Sequence, residues 1–228
     1  MSEINRHICY VYCNQCQRKT RHEYLADVAQ KDSEIYEGFG SVDWEYTYQI
    51  LQCRGCNNVT YHTEYWNTED ADIEDGPFVQ HTYYPPIMSH PKPAWIERLD
   101  SDIQLVLEEV YTSFYHELRY LTAVGARTVL DMMIVSKIGD VGTFQQKVDK
   151  LRNDGHITDR DKELIETLTE TGNAAAHRGY APSIKNLASI LSILEVLLHK
   201  FYIQETTTQE LLQQAQKLKS GVPKRQRP

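Results

Sequence analysis

The sequence predicts an α+β fold: a small β module at the N-terminus followed by an all-α helical bundle. Three observations predict it. All five cysteines fall within residues 1–66, four of them as two Cys-x-x-Cys pairs. The same stretch is rich in Tyr, Val, Thr and Trp, which suit a pleated surface. From Trp95 onward apolar residues recur at three- and four-residue steps, the period of a helix with one buried face.

In the β module, Thr20–Asp27, Trp44–Gln52 and Val59–Trp66 read as strands. Gln30 to Val42 is acidic and holds Gly38 and Gly40, so it reads as a loop inserted between the two cysteine pairs. Residues 67–93 read as a connector. It opens with Glu69, Asp70, Asp72, Glu74 and Asp75 and continues with Pro77, Pro85, Pro86, Pro91 and Pro93. Proline lacks an amide donor and breaks helices, so this stretch is expected to be extended. Phe78, Tyr83, Tyr84 and Ile87 are apolar enough for it to pack on a neighbouring surface.

The helical domain is expected over residues 94–204. Ile103, Leu107, Val110 and Phe114 mark a first helix, with Asp100 or Ser101 as its cap. A second runs from about Leu118 to Ser136 and stops before Gly139; a third covers about Thr143 to Asn153. Thr158 caps a fourth that ends before Gly179 and Pro182, and a fifth runs from about Ser183 to Tyr202. A more polar helix and a basic tail fill residues 205–228. Short connections between amphipathic helices point to a bundle.

The 228-residue chain carries a net charge of −8, with a balance of −7 over residues 1–93 and −1 over residues 94–228. Such a chain is a poor non-specific binder of nucleic acid, which needs Lys and Arg for phosphate contacts. Two local basic clusters stand against the trend: Arg18, Lys19, Arg21 and Arg54 beside the cysteines, and Lys217, Lys219, Lys224, Arg225 and Arg227 in the tail, which reads as a solvated terminus. No apolar run approaches the roughly 20 residues of a membrane span, and Met1 to Tyr10 lacks the pattern of a secretory signal. The expectation is a cytoplasmic protein without a membrane.

Cys13-Asn-Gln-Cys16 and Cys53-Arg-Gly-Cys56 are separated by 36 residues. Each pair presents two thiolates from one tight turn, with Gly55 expected to permit the second turn. Two such knuckles supply the four soft ligands of a tetrahedral zinc ion. The alternatives are a pair of disulfides, disfavoured in a cytoplasmic chain, or cysteines buried as small hydrophobes. Four thiolates leave no position for water, so the Zn2+ is expected to be structural. Cys9 is left over as a buried thiol, with His7, His22 and His62 as competing ligands. His81, His90, His116, His156 and His199 show no spacing that suggests a site.

The fourth helix ends in Thr171-Gly-Asn-Ala-Ala-Ala-His177-Arg178-Gly. Asn173 and His177 are four apart and share a face, and the small residues Gly172, Ala174, Ala175 and Ala176 let another helix come close. This segment resembles the Gly-Asn-x-Ala-Ala-His signature of the domain of unknown function 4145 family. An earlier Arg127, followed four residues later by Asp131, resembles a second family feature, as do Lys147–Asp154 and the Gly155-His-Ile157 turn. The resemblance covers about residues 95–203, and a zinc ribbon of the kind formed by the cysteine pairs is often joined to such domains. The family is in turn similar to the HEPN superfamily of helical bundles, common in prokaryotic defence, restriction and toxin–antitoxin systems.

Active HEPN proteins are metal-independent RNases with an Arg-x4–6-His motif paired across a homodimer. The present sequence departs from that motif: Glu170, Thr171 and Gly172 occupy the arginine positions before His177. A cation there stabilises developing negative charge while the histidine moves a proton. The resemblance therefore implies three readings. The chain is a zinc-binding, nucleic-acid- or partner-binding component of a defence system; or it is an RNase with His177 as general acid/base, Asn173 and Arg127 orienting phosphate and Arg178 binding; or it is a scaffold. In the scaffold case Asn173 and His177 tie helices together and Arg127–Asp131 is an ion pair. All three imply a homodimer through the helices that carry Gly172–His177.

Overall fold

The structure, a computed structural model, describes residues 8–38, 40–69, 71–72 and 76–221. It is α+β and divides into two compact units, residues 1–91 and 92–228.

The first unit is a five-stranded antiparallel sheet in the order β1-β2-β3-β4-β7. Its strands are β1 (Ile8–Cys13), β2 (Arg18–Tyr36), β3 (Gly40–Cys53), β4 (Val59–Asn67) and β7 (Gln80–Tyr84). A two-residue pair, β5 (Ala71–Asp72) and β6 (Gly76–Pro77), lies between β4 and β7 in sequence. One face of the central strands is buried: His22, Gln49, Leu51, Cys53, Thr60 and His62 are each less than a tenth exposed. Opposed residues of an antiparallel ladder share a face, and His22 is paired with Cys53, Leu51 with Thr60, and Gln49 with His62.

Two expectations change here. Residues 30–42 are not an inserted loop. β2 and β3 remain paired out to Tyr36 and Gly40, and the chain reverses at Glu37–Gly38, where Gly38 and Gly40 take φ of 83° and 100°. Both faces of this outer ribbon are largely exposed, so its sequence has no polar–apolar alternation to announce it. Lys31 and Glu45 pair across it at 2.9 Å. A bulge at Leu25 shifts the register between the buried and the exposed part of β2. The second change is in the proline-rich stretch. It is extended as expected, but residues 80–84 hydrogen-bond to β4 as an edge strand. Tyr83 and Ile87 are half-buried, whereas Phe78 and Tyr84 are exposed. Of the acidic run, Asp70, Glu74 and Asp75 lie outside the described residues, as do His7 and the tail residues Lys224, Arg225 and Arg227.

The second unit opens with a 3-10 turn (Ala94–Arg98). It continues with α1 (Ser101–Tyr115), α2 (Arg119–Ile138), α3 (Phe144–Asn153), α4 (Asp159–Arg178), α5 (Ile184–Leu198) and α6 (Glu205–Gly221). Local signals set most of the ends. Thr143 with Gln146 and Thr158 with Asp161 form reciprocal capping boxes, and Ser183 caps α5 by accepting from the Asn186 amide. Asp100 stands at the cap of α1 without a side-chain cap bond. Gly179 ends α4 in the left-handed conformation at φ 64°. The core is apolar: Leu107, Leu130, Met133, Leu151, Ile165 and Leu191 are fully buried. Leu187, Leu191, Leu194 and Leu198 make α5 its apolar spine.

α5 and α6 are not separate helices. A π-helical segment, His199–Gln204, joins them into a continuous run from Ile184 to Gly221. By length and composition this run is apolar enough to cross a membrane. The apolar side of its α5 half is packed into the core. No residue of α6 is buried.

Candidate metal centre and helical motif

The two knuckles have the same local build. Cys13 O accepts from the Gln17 amide at 2.8 Å, and Cys53 O accepts from the Asn57 amide at 2.9 Å. Gln17 and Asn57 both take positive φ, 55° and 62°. The left-handed residue of the second turn is thus Asn57 and not Gly55, whose φ is ordinary; a Cβ at Gly55 would lie 3.5 Å from Cys16 Sγ and 3.7 Å from Cys53 Sγ.

β1 and β3 carry Cys13 and Cys53 at their ends, and the turns that follow bring Cys16 and Cys56 over them. Cys13 Sγ lies 3.5 Å from Cys56 Sγ, and Cys16 Sγ lies 3.8 Å from Cys53 Sγ. All four sulfurs are within 4.8 Å of one another. A disulfide needs about 2.05 Å, and all five cysteines are free. Four sulfurs at about 2.3 Å from one tetrahedral ion stand about 3.8 Å apart. The cluster has that spacing and can hold a metal ion.

The surroundings favour thiolate at Cys53. Cys53 Sγ is 3.2 Å from Thr20 Oγ1 and 3.4 Å from the Gly55 amide, and the Cys16 amide is 3.4 Å from Cys13 Sγ. Burial pushes the Cys53 thiol up, but the Thr20 hydroxyl and the Cys56 and Gly55 amides outweigh it and lower the thiol to about 6. Cys16 goes the other way. The hydrogen bond with Cys56, then burial and the other sulfurs, push it up to about 12. Burial also raises Cys13. Four adjacent thiols resist losing all their protons unless a cation compensates the charge, and a divalent ion supplies that.

The remaining candidates stand outside the cluster. Cys9 is half-buried, with its thiol raised by burial. His22 is fully buried, its Nδ1 3.1 Å from Thr20 O and its Nε2 without a partner. His62 faces Gln49 and His81 instead. Two members of the basic cluster are engaged: Arg54 forms an ion pair with Glu23 at 2.8 Å, and Arg21 donates to Tyr10 Oη at 2.7 Å.

In the helical unit, α4 crosses α2 where Gly172 meets Arg127. A Cβ at 172 would stand 2.6 Å from Arg127 Cβ and 3.1 Å from Ala123 O. The small-residue face thus accommodates α2 of the same chain. Asn173 is half-buried and His177 is exposed. Arg127 and Asp131 form no ion pair. Asp131 accepts from Lys147 at 3.2 Å, and Lys147, buried, also pairs with Asp140 at 2.8 Å. Arg127 Nε is buried without a hydrogen-bond partner. Arg178 pairs with Glu170 at 2.5 Å.

Residues 108–221, half the chain, match the family model described as Domain of unknown function (DUF4145). The chain belongs to the DUF4145 family. The match begins within α1 and runs through α6, further toward the C-terminus than the residues 95–203 that carry the sequence resemblance. The DUF4145 segment therefore includes the Gly172–His177 signature and the Arg127, Asp131 and Lys147 positions. No curated protein and no solved structure matches the chain.

Proposed function

We propose that this DUF4145 protein is a zinc-stabilised binding component, HEPN-like in its helical domain, that engages nucleic acid or a partner within a prokaryotic defence, restriction or toxin–antitoxin system. Zinc is the ion that suits four thiolates without redox chemistry. With all four positions filled by protein, the ion stabilises the β module and activates no water.

The observation that carries binding over cleavage is the Arg178–Glu170 ion pair. Arg178 is the cation adjacent to His177, and Glu170 both consumes it and places a carboxylate where a phosphate would need positive charge. The test is incubation of the zinc-loaded protein with labelled mixed RNA and tRNA, without divalent metal, beside His177→Ala. Intact RNA with both proteins is expected; cleavage by the wild type alone overturns the reading.

One observation favours the second reading, a metal-independent RNase with His177 as acid/base and Asn173 positioning phosphate. Arg127 lies against Gly172, the residue before Asn173, with its Nε unpartnered. In that reading Arg127 replaces the missing motif arginine, and Arg127→Ala abolishes the cleavage that His177→Ala abolishes. Both readings use a homodimer through the outer side of α4 at His177. Light scattering at micromolar concentration tests it, and a monomer counts against both.

A further inference from the structure

The β module carries a second set of metal-ligating side chains, away from the cysteines. His62 and Glu64 are two residues apart on β4 and so share a face. β7 sets His81 directly opposite Glu64, while β3 sets Gln49 directly opposite His62. The ligand atoms of His62, Glu64 and His81 all lie within 4.8 Å of one another. His62 Nε2 is 3.1 Å from His81 Nδ1, and His81 Nδ1 is 3.6 Å from Glu64 Oε1. Two donors about 2.0–2.2 Å from one ion, at angles between tetrahedral and octahedral, stand about 2.8–3.6 Å apart.

The environment prepares this set for an ion. Gln49 Oε1 is 2.6 Å from His62 Nδ1. A carbonyl oxygen only accepts, so Nδ1 carries the proton and Nε2 presents its lone pair toward His81. Metal-bound histidines are oriented by this kind of outer hydrogen bond. The His62 ring is buried and stacked on Tyr83 at 4.4 Å, which holds its direction. His81 and Glu64 are 47% and 31% exposed in their side chains, so the set is open to solvent on one side.

We propose that His62, His81 and Glu64 form a second metal site, which takes a divalent first-row transition ion such as Zn2+ through two imidazole nitrogens and one carboxylate oxygen. It is separate from the cysteine cluster: Gln49 and Cys53 are four residues apart on β3, about 13 Å along the strand. It also differs in kind. Three protein ligands leave a position for water or an exogenous ligand, which four thiolates do not.

The test uses the full chain with its cysteine site already filled by zinc. Zn2+ is titrated calorimetrically at neutral pH, and the histidine ring nitrogens are followed by NMR. A further equivalent is expected, with shifts at the His62 and His81 rings. His81→Ala and Glu64→Gln, both at solvent-accessible positions, are each expected to weaken that equivalent by about tenfold or more while the cysteine-bound zinc stays at one per chain. Co2+ at the same site is expected to give ligand-field bands without sulfur charge transfer. No further equivalent in the wild type, or one that leaves both rings unshifted or survives both substitutions, overturns the site. The four side chains would then be a hydrogen-bonded tie between β3, β4 and β7.

Discussion

Arg127 lies across Gly172 so closely that any side chain at 172 would collide with it: a Cβ there would stand 2.6 Å from Arg127 Cβ and 2.9 Å from its Cδ. The contact decides how near α2 and α4 can approach. Alanine is the better helix former by about 1 kcal/mol, so helix propensity alone favours Gly172→Ala. Packing says the opposite, because the Arg127 Cβ is fixed to its backbone and cannot swing away. Gly172→Ala is expected to lower stability by about 1–3 kcal/mol in urea unfolding followed at the helical circular-dichroism band. An unchanged or raised midpoint would mean that the two helices are not held at this contact.

Removing the metal should act on the β module first. Among the described residues the sheet of this unit has few fully buried apolar side chains, Leu51 among them, so the zinc proposed at the cysteine site is expected to supply a large part of its stability. A strong chelator is expected to release the cysteine-bound zinc and abolish the protection of β1 and β3 amides in hydrogen exchange, leaving α1–α5 protected. Cys53→Ser should reproduce this without chelator. Retained protection in the metal-free protein would assign the sheet's stability to packing.

A pH dependence follows from the start of α4. Burial pushes the Asp161 carboxyl up, but Lys200, the Thr158 hydroxyl and the Thr158 amide outweigh it and hold it below its usual value. A depressed folded-state value means stability that is complete above the unfolded value of about 3.9 and is lost as pH falls through the lower, folded value. Asp161→Asn should therefore be less stable than wild type at pH 7, and the difference should shrink below about pH 4. Thr158→Ala, which removes the reciprocal cap, should cost about 1 kcal/mol. A difference between wild type and Asp161→Asn that does not change with acidification would argue against the ion pair.

Lys147 offers a way to separate charge from packing. Its side chain is 8% exposed, with the ammonium between Asp131 and Asp140. Lys147→Met keeps the apolar stem and loses ion pairs whose acids are well exposed, so its cost should be at most about 1 kcal/mol. Lys147→Ala also empties the space filled by the stem and should cost at least about 1 kcal/mol more. Equal thermal denaturation of the two variants would place the contribution in the charges.

Several features were legible because their causes are local. A Cys-x-x-Cys pair offers both ligands from one turn, so Cys13 with Cys16 and Cys53 with Cys56 needed only their spacing to be read as half-sites. Thr158 and Gly179 mark the ends of α4 through bonds made within a few residues. The outer ribbon of β2 and β3 was not legible. Lys31, Asp32 and Glu34 point into solvent on either side, and a strand with no buried face leaves no period-two pattern. His81 was missed for a different reason. It lies 19 residues beyond His62 in a stretch whose prolines suggest a linker, and only the antiparallel return of β7 against β4 places the two imidazoles 3.1 Å apart.

The sequence by itself determined the two-part α+β architecture, the four cysteines that can hold a metal ion, most helix ends and the signature that places the chain in its family. These rest on composition, on short-range hydrogen bonds and on periods of a few residues. Tertiary structure alone decided that Gly172 receives Arg127, that Asp131 answers to Lys147 instead of Arg127, and that Gln49, His62, Glu64 and His81 converge. Each of these joins residues on different strands or helices, whose separation is set by register and close packing and leaves no mark on the spacing of the chain.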